Sequence, residues 1–193
     1  MKKIFYFIIP AIVSGCCFNS APPKTEYFDI GTPSACAPYN YHIEVGPFNA
    51  EEQCGTKMIF SRAPNFVFFD NFNQWAQSPD RMLGLYFNIY FNNPAFPSIR
   101  KDYISIKLSG TILKFECNLT SKECLFCIKI SIVNTSTGEI IFDEICIEKQ
   151  PVNKLTASSF ALSMSMAVKV VAEKMEAKIN NIYEHNHLKK GKK

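Results

Sequence analysis

The sequence predicts an α+β domain: a two-layer sandwich of a mainly antiparallel sheet with two long helices on one face. Three observations predict it. Short apolar runs alternate with polar residues between turn signals from Tyr41 onward. Apolar residues recur at helical spacing in two well separated stretches. The coarse order is strands, helix, three strands, helix, and packing both helices on one sheet face is the simplest way to bury their apolar stripes.

The elements follow in chain order. Residues 18–40 hold Pro22-Pro23, Gly31, Pro33 and Pro38 among small polar residues, the composition of a tether. Within it Tyr27-Phe28-Asp29-Ile30 reads as a short edge strand. Tyr41-His42-Ile43-Glu44-Val45 alternates as a half-buried strand should, and Gly46-Pro47 ends it. Lys57 to Arg62 and Asn65 to Asp70 read as two more strands, interrupted by Ala63-Pro64. Ser78-Pro79-Asp80 then opens a helix, with a capping hydroxyl, Pro at the first helical position and an acid in the first turn. That helix carries Met82, Leu83, Leu85, Tyr86, Phe87, Ile89 and Tyr90 and stops at Asn92-Asn93-Pro94. It is apolar on most sides, so it is either well buried or part of an interface.

Residues 103–149 read as a meander of three strands, Tyr103 to Cys117, Cys124 to Val133 and Glu139 to Lys149. With Thr135-Ser136-Thr137-Gly138 as the second turn, Val133 faces Ile140, Ile128 faces Ile145 and Lys129 faces Glu144. This register gathers Phe126, Ile128, Ile130, Ile132, Ile141, Ile145 and Ile147 on one face, with Asp143 as the exception. The other face carries Lys129, Ser131, Glu144 and Glu148. A one-residue slip breaks both the apolar face and the charge pair. The same register sets Cys127 opposite Cys146, and Cys117 opposite Cys124 if Thr120-Ser121 is the first turn tip. Either pair could be a cross-strand disulfide or two thiols filling space. The last element is a helix from about Ala157 to Tyr183, with Phe160, Met164, Ala167, Val168, Val171, Met175, Ile179 and Ile182 in one stripe.

Composition narrows the function. The chain has 193 residues and a formal charge of +4, half of it carried by Lys2 and Lys3. That is no nucleic-acid footprint. Of the three histidines, His42 points off the apolar face of its strand, and His185 and His187 border a lysine-rich end. A nucleophile with an adjacent base is therefore hard to build. No Gly-rich phosphate loop occurs. Cys124-Leu125-Phe126-Cys127 matches the C-x-x-C spacing, but it begins a strand, where positions three apart point to opposite faces. It therefore reads as neither a redox motif nor a metal site, and no cofactor or metal is expected.

The N-terminus adds a location. Met1-Lys2-Lys3 precedes an apolar run from Ile4 to Val13, too short to span a bilayer as a helix. It has the form of a secretory signal peptide. It ends in Val13-Ser14-Gly15-Cys16, which resembles the lipobox of bacterial lipoproteins. That resemblance implies cleavage before Cys16 and lipid on its sulfur. Several acyl chains, at ~0.8 kcal/mol per buried methylene, hold a protein stably on a membrane. Cys17, rather than Asp, would stand second in the mature chain, which favours the outer membrane.

Three further stretches occur in a telling order: "YHIEVGPFNA" with "KMIFSRAPNFVFF", then "NQWAQSPDRML", then "YISIKLSGTILKFEC" followed by "STGEIIFDE" and an Ala/Met-rich helix. Together with the lipobox they resemble the ABC-type transport auxiliary lipoproteins, the PqiC-like family. The chain departs from that family at Arg81, where an acid is usual, and in its cysteine content, so contact residues do not carry over position by position. The resemblance implies a non-enzymatic role at the periplasmic face of a Gram-negative-type outer membrane. The partner would be the MCE-domain periplasmic subunit of an ABC transporter that moves lipid or other apolar molecules. A ring of identical subunits fits such a role.

The boundaries that follow are a signal peptide over 1–15, a lipidated anchor and tether over 16–40, the auxiliary domain over 41–184 and a basic tail over 185–193. Trp75, Tyr86, Phe87 and Tyr90 are either core aromatics or a partner surface, where such residues are favoured. The alternative function is a periplasmic carrier lipoprotein that binds lipid between sheet and helices.

Overall fold

A computed structural model of the chain describes residues 23–34, 41–51, 54–63, 65–92 and 104–190. Seven strands form one sheet: β1 (Glu26–Phe28), β2 (Tyr41–Ala50), β3 (Lys57–Ala63), β4 (Phe66–Trp75), β5 (Ile104–Asn118), β6 (Glu123–Asn134) and β7 (Ile140–Pro151). Among the described residues two helices accompany it, α1 (Pro79–Phe91) and α2 (Ala157–Lys190). The order across the sheet is β1-β4-β3-β5-β6-β7, with β2 also beside β5.

β5 has 15 residues, long enough to take two neighbours end to end on one edge. β2 runs along Ile104–Ile112 and β3 along Glu116–Asn118, both parallel to it. β6 fills the other edge, antiparallel. The sheet is therefore mixed rather than mainly antiparallel: β1–β4 is parallel too, while β3–β4 and β6–β7 are antiparallel. The reason is connectivity. Between β3 and its parallel neighbour β5 the chain runs through β4 and α1, and parallel neighbours require a long connection of that kind.

Gly46-Pro47 does not end β2. The strand passes through them with a register shift between Val45 and Phe48 and continues to Ala50. The shift lands Phe48 opposite Gly110. A Cβ added at Gly110 would lie 2.8 Å from the Lys129 carbonyl oxygen, 3.0 Å from the Phe48 ring and 3.2 Å from Ile128 Cδ1. Only a glycine lets that ring lie so close to the sheet. Phe48 then stacks on Phe87 of α1 at 5.1 Å between ring centres.

α1 buries Met82, Leu83, Tyr86, Phe87, Tyr90 and Phe91 and packs on β2 and β5. Ser78 makes no side-chain cap bond, contrary to expectation; Pro79 and Asp80 are left to mark the start. α2 packs on β6, β7 and β1 and buries Phe160, Met164, Ala167, Val168, Val171, Met175 and Ile179, the stripe read from the sequence. Its start is held by Thr156, whose hydroxyl accepts the Ser159 amide. It continues to Lys190, through much of the segment expected as a tail. Tyr90 joins the helices by donating to Glu176 Oε2 at 2.6 Å.

Residues 26–33, expected in the tether, are built into the fold. β1 pairs with Asn73–Trp75, Ile30 is buried, and the Ser165 hydroxyl donates to the Ile30 carbonyl.

The meander corrects the predicted register. Both turns form as expected: the Asn118 and Asn134 side chains each accept two amides of their turn, and Gly138 takes a positive φ of 73°. Val133 faces Ile140, and Cys117 faces Cys124. A bulge between Ile132 and Val133 then shifts the rest of β7 by one residue. Ile128 faces Cys146 rather than Ile145, Lys129 faces Ile145 rather than Glu144, and Cys127 faces Ile147 rather than Cys146. The shift turns Phe142 into the core and leaves Ile145 and Ile147 exposed. It removes Asp143 from the apolar face to pair with Lys129 at 3.3 Å. Glu148 meets Lys174 of α2 at 2.6 Å. A buried unpaired carboxylate costs more than a bulge, which decides the register. Of the two possibilities for Cys127 and Cys146, the structure has free thiols: neighbouring register positions put the two sulfurs on opposite faces. Both cysteines are free.

Two predictions follow from this packing. Gly110→Ala lowers the unfolding free energy by about 1–3 kcal/mol, the usual cost of overpacking, measured by urea denaturation. The protein unfolded without reductant and alkylated yields separate, modified Cys127 and Cys146 peptides; a cross-linked peptide pair contradicts the register.

Candidate functional site

Trp75, Tyr86, Phe87 and Tyr90 lie in the core and do not form an exposed surface. Trp75 sits edge-on against Phe115 at 5.1 Å and Phe160 at 5.4 Å, tying β4, β5 and α2 together. Its Nε1 is buried without a hydrogen-bond partner. Tyr86 stacks on Tyr90, and burial with nearby Glu173 pushes its hydroxyl pKa up. Cys16 lies outside the described residues.

The thiols among the described residues are poor nucleophiles. Burial pushes Cys117 up to about 12, and Cys54 and Cys124 up to about 11. Cys127 and Cys146 are also raised, again chiefly by burial. Such thiols stay protonated near neutral pH, whereas a reactive cysteine needs its thiolate. The C-x-x-C pair divides between the two faces: Cys124 packs in the core opposite Cys117, and Cys127 points away from it. Among the described residues, no group of three His, Cys, Asp or Glu side chains is placed to hold a metal ion.

What the strands leave in contact with solvent is the sheet face turned away from the core. At its centre is a polar hollow of about 390 Å³ lined by Pro47, Asn49, Ser109, Gly110, Thr111, Lys129, Ser131 and Asp143. Short hydroxyl side chains and the Lys129–Asp143 pair give it hydrogen-bonding groups of both kinds and no net charge of its own. Lys107 pairs with Glu44 at 3.2 Å on the same face. The flanks are apolar. Ile145 and Ile147 of β7 are exposed on one side, Val67 and Phe69 of β4 on the other. This combination suits contact with a broad partner surface better than enclosure of a small molecule.

The sequence signal for this surface was present but ambiguous. Phe66-Val67-Phe68-Phe69 is apolar at consecutive positions, so both of its faces are apolar, and only the pairing of Phe68 with Phe60 decides which one is core. In β7 the bulge reverses the faces.

No protein-family model matches the chain, and no curated protein matches it. Solved structures do. The chain is similar to protein XCC0632 from Xanthomonas campestris, of the family DUF330, with a TM-score of 0.69 at 12% identity. The match covers 83% of this chain and 99% of that one. It is also similar to an uncharacterised protein with a TM-score of 0.65 at 10% identity, over 81% of this chain and 99% of the other. At these identities the likeness is one of fold: the chain has the fold of the DUF330 protein across that protein's whole length.

Proposed function

We propose that the chain is a non-catalytic auxiliary lipoprotein of an MCE-type ABC transport system. Lipid on Cys16 holds it at the periplasmic face of the outer membrane, where it docks the periplasmic MCE subunit during transport of lipid or another apolar molecule. In this reading the domain works as a two-layer unit. The helix layer supplies the rigid core, and the uncovered sheet face meets the partner.

One observation carries the reading. A lipobox-like Val13-Ser14-Gly15-Cys16 stands ahead of a domain whose free sheet face bears Ile145 at 56% and Ile147 at 58% exposure beside a polar hollow. Large aliphatic side chains held on a rigid strand at the margin of hydrogen-bonding groups have the composition of a protein interface. The resemblance of the three sequence stretches to auxiliary lipoproteins supplies the identity of the partner.

The test is capture of the tagged, lipidated chain from crosslinked cells, read by mass spectrometry. Recovery of an MCE-domain protein with its ABC permease is the expected result. Recovery of lipid with no transporter subunit contradicts the reading and points to a carrier. A double variant, Ile145→Glu with Ile147→Glu, is expected to fold as the parent does and to weaken partner capture at least about fivefold, the effect of losing roughly 1 kcal/mol at an interface. Unchanged capture places the docking surface elsewhere.

A further inference from the structure

One edge of the sheet is unusually apolar. β4 is the penultimate strand, and β1 covers only Asn73–Trp75 of it. Along these two strands Tyr27 is 65% exposed, Phe66 55%, Phe72 49% and Phe69 46%. Long apolar strand edges normally carry charge or cover, because they recruit other chains. Here the backbone is held open deliberately. Asp70 Oδ1 accepts the amides of Phe72 and Asn73 and Oδ2 accepts Asn73 Nδ2, forming a local turn that leaves Phe72 exposed. Partial burial raises the Asp70 carboxyl pKa, but those three bonds outweigh it and hold the carboxyl below its ordinary value.

We infer that this β1–β4 edge is a membrane-contact surface, with Tyr27, Phe69 and Phe72 seated in the headgroup region of the bilayer that holds the anchor. The inference rests on the lipoprotein reading of Cys16. The tether length selects the occupant. Cys16 and Glu26 are ten residues apart, a span of at most about 35 Å fully extended and roughly 17 Å on average for a flexible chain. β1 is thus the element held nearest the lipid. β7 stands five strand spacings away, roughly 24 Å farther from the anchored edge. Aromatic side chains are well suited to the boundary between headgroups and acyl chains. The edge carries Lys24 against Glu26, Asp29 and Asp70, and neighbouring β3 adds Lys57 and Arg62, so no cationic patch draws it to anionic lipid. The contact is therefore apolar, and salt affects it little.

The test uses the full chain, made in cells that acylate it, in vesicles of phosphatidylethanolamine and phosphatidylglycerol with brominated acyl chains. Phe69→Trp and Ile147→Trp place a fluorophore on each edge. Both positions are exposed, and buried Trp75 gives the same background in each. The Phe69→Trp emission is expected to shift to the blue and to lose intensity to bromine, at low and high salt alike. Ile147→Trp is expected to do neither. Equal quenching at both positions, or none at either, in protein whose mass shows an acylated Cys16 overturns the membrane contact and leaves the anchor standing. An unmodified Cys16 removes the anchor and the inference together. A blue shift of Phe69→Trp that grows with protein concentration in the absence of vesicles assigns the edge to a second copy, and overturns the inference as well.

Discussion

The structure depends on β5 having both edges occupied along its length. β6 takes one edge as an antiparallel partner, and β2 and β3 share the other as parallel partners. A strand paired on both edges over most of its length fixes the place of the elements around it. The parallel pairing of β3 with β5 requires a long connection, which β4 and α1 provide together. The position of α1 is then set by the stacking of Phe87 on Phe48, possible because Gly110 leaves room for the Phe48 ring. On the other half of β5, Phe115 meets Trp75 and Phe126, which extends the same core to β4, β6 and α2. One hydrophobic cluster results, with both helices contributing to it.

The surfaces are decided by irregularities rather than by regular strand geometry. A single extra residue in β7 exchanges the faces of every residue after it. Phe142 enters the core, Asp143 reaches Lys129, and Ile145 and Ile147 become solvent-facing. The irregular stretch of β4 between Phe69 and Gln74 does the same for Phe72. The β7 bulge moves Asp143 away from the core at the cost of exposing Ile145 and Ile147. Those exposed groups are the ones available to a partner protein or to a bilayer.

Much of this was legible in the residues. The strand and helix positions, the Asn-led turns and the α2 stripe follow from local periodicity and turn chemistry, which act over a few residues. The opposition of Cys117 and Cys124 also follows, because the short turn between them leaves one register. What failed involved distant partners. Gly46-Pro47 looks like a strand end until β5 is present to carry β2 through a bulge. The apolar residues of β7 alternate with charges in a way that fits two registers. Asp143 distinguishes them, since a carboxylate among isoleucines needs a reason. Trp75, Tyr86, Phe87 and Tyr90 read as core or as interface, because aromatic side chains in a strand end and a helix say only that they must be covered. The sheet and α2 cover them here. The mixed strand order was not legible at all, since nothing local distinguishes a parallel neighbour from an antiparallel one.

The account divides the molecule into a rigid helix layer, a sheet face for a partner and a strand edge for the bilayer. Hydrogen–deuterium exchange tests that division directly, comparing the lipidated chain in its isolated membrane fraction with the lipid-free domain in solution. The account predicts added protection in residues 66–72 of β4 and residues 140–149 of β7, with α1 unchanged. Added protection in α1 and none in either strand would show that the aromatic helix, not the sheet, meets the outside world, and would contradict it.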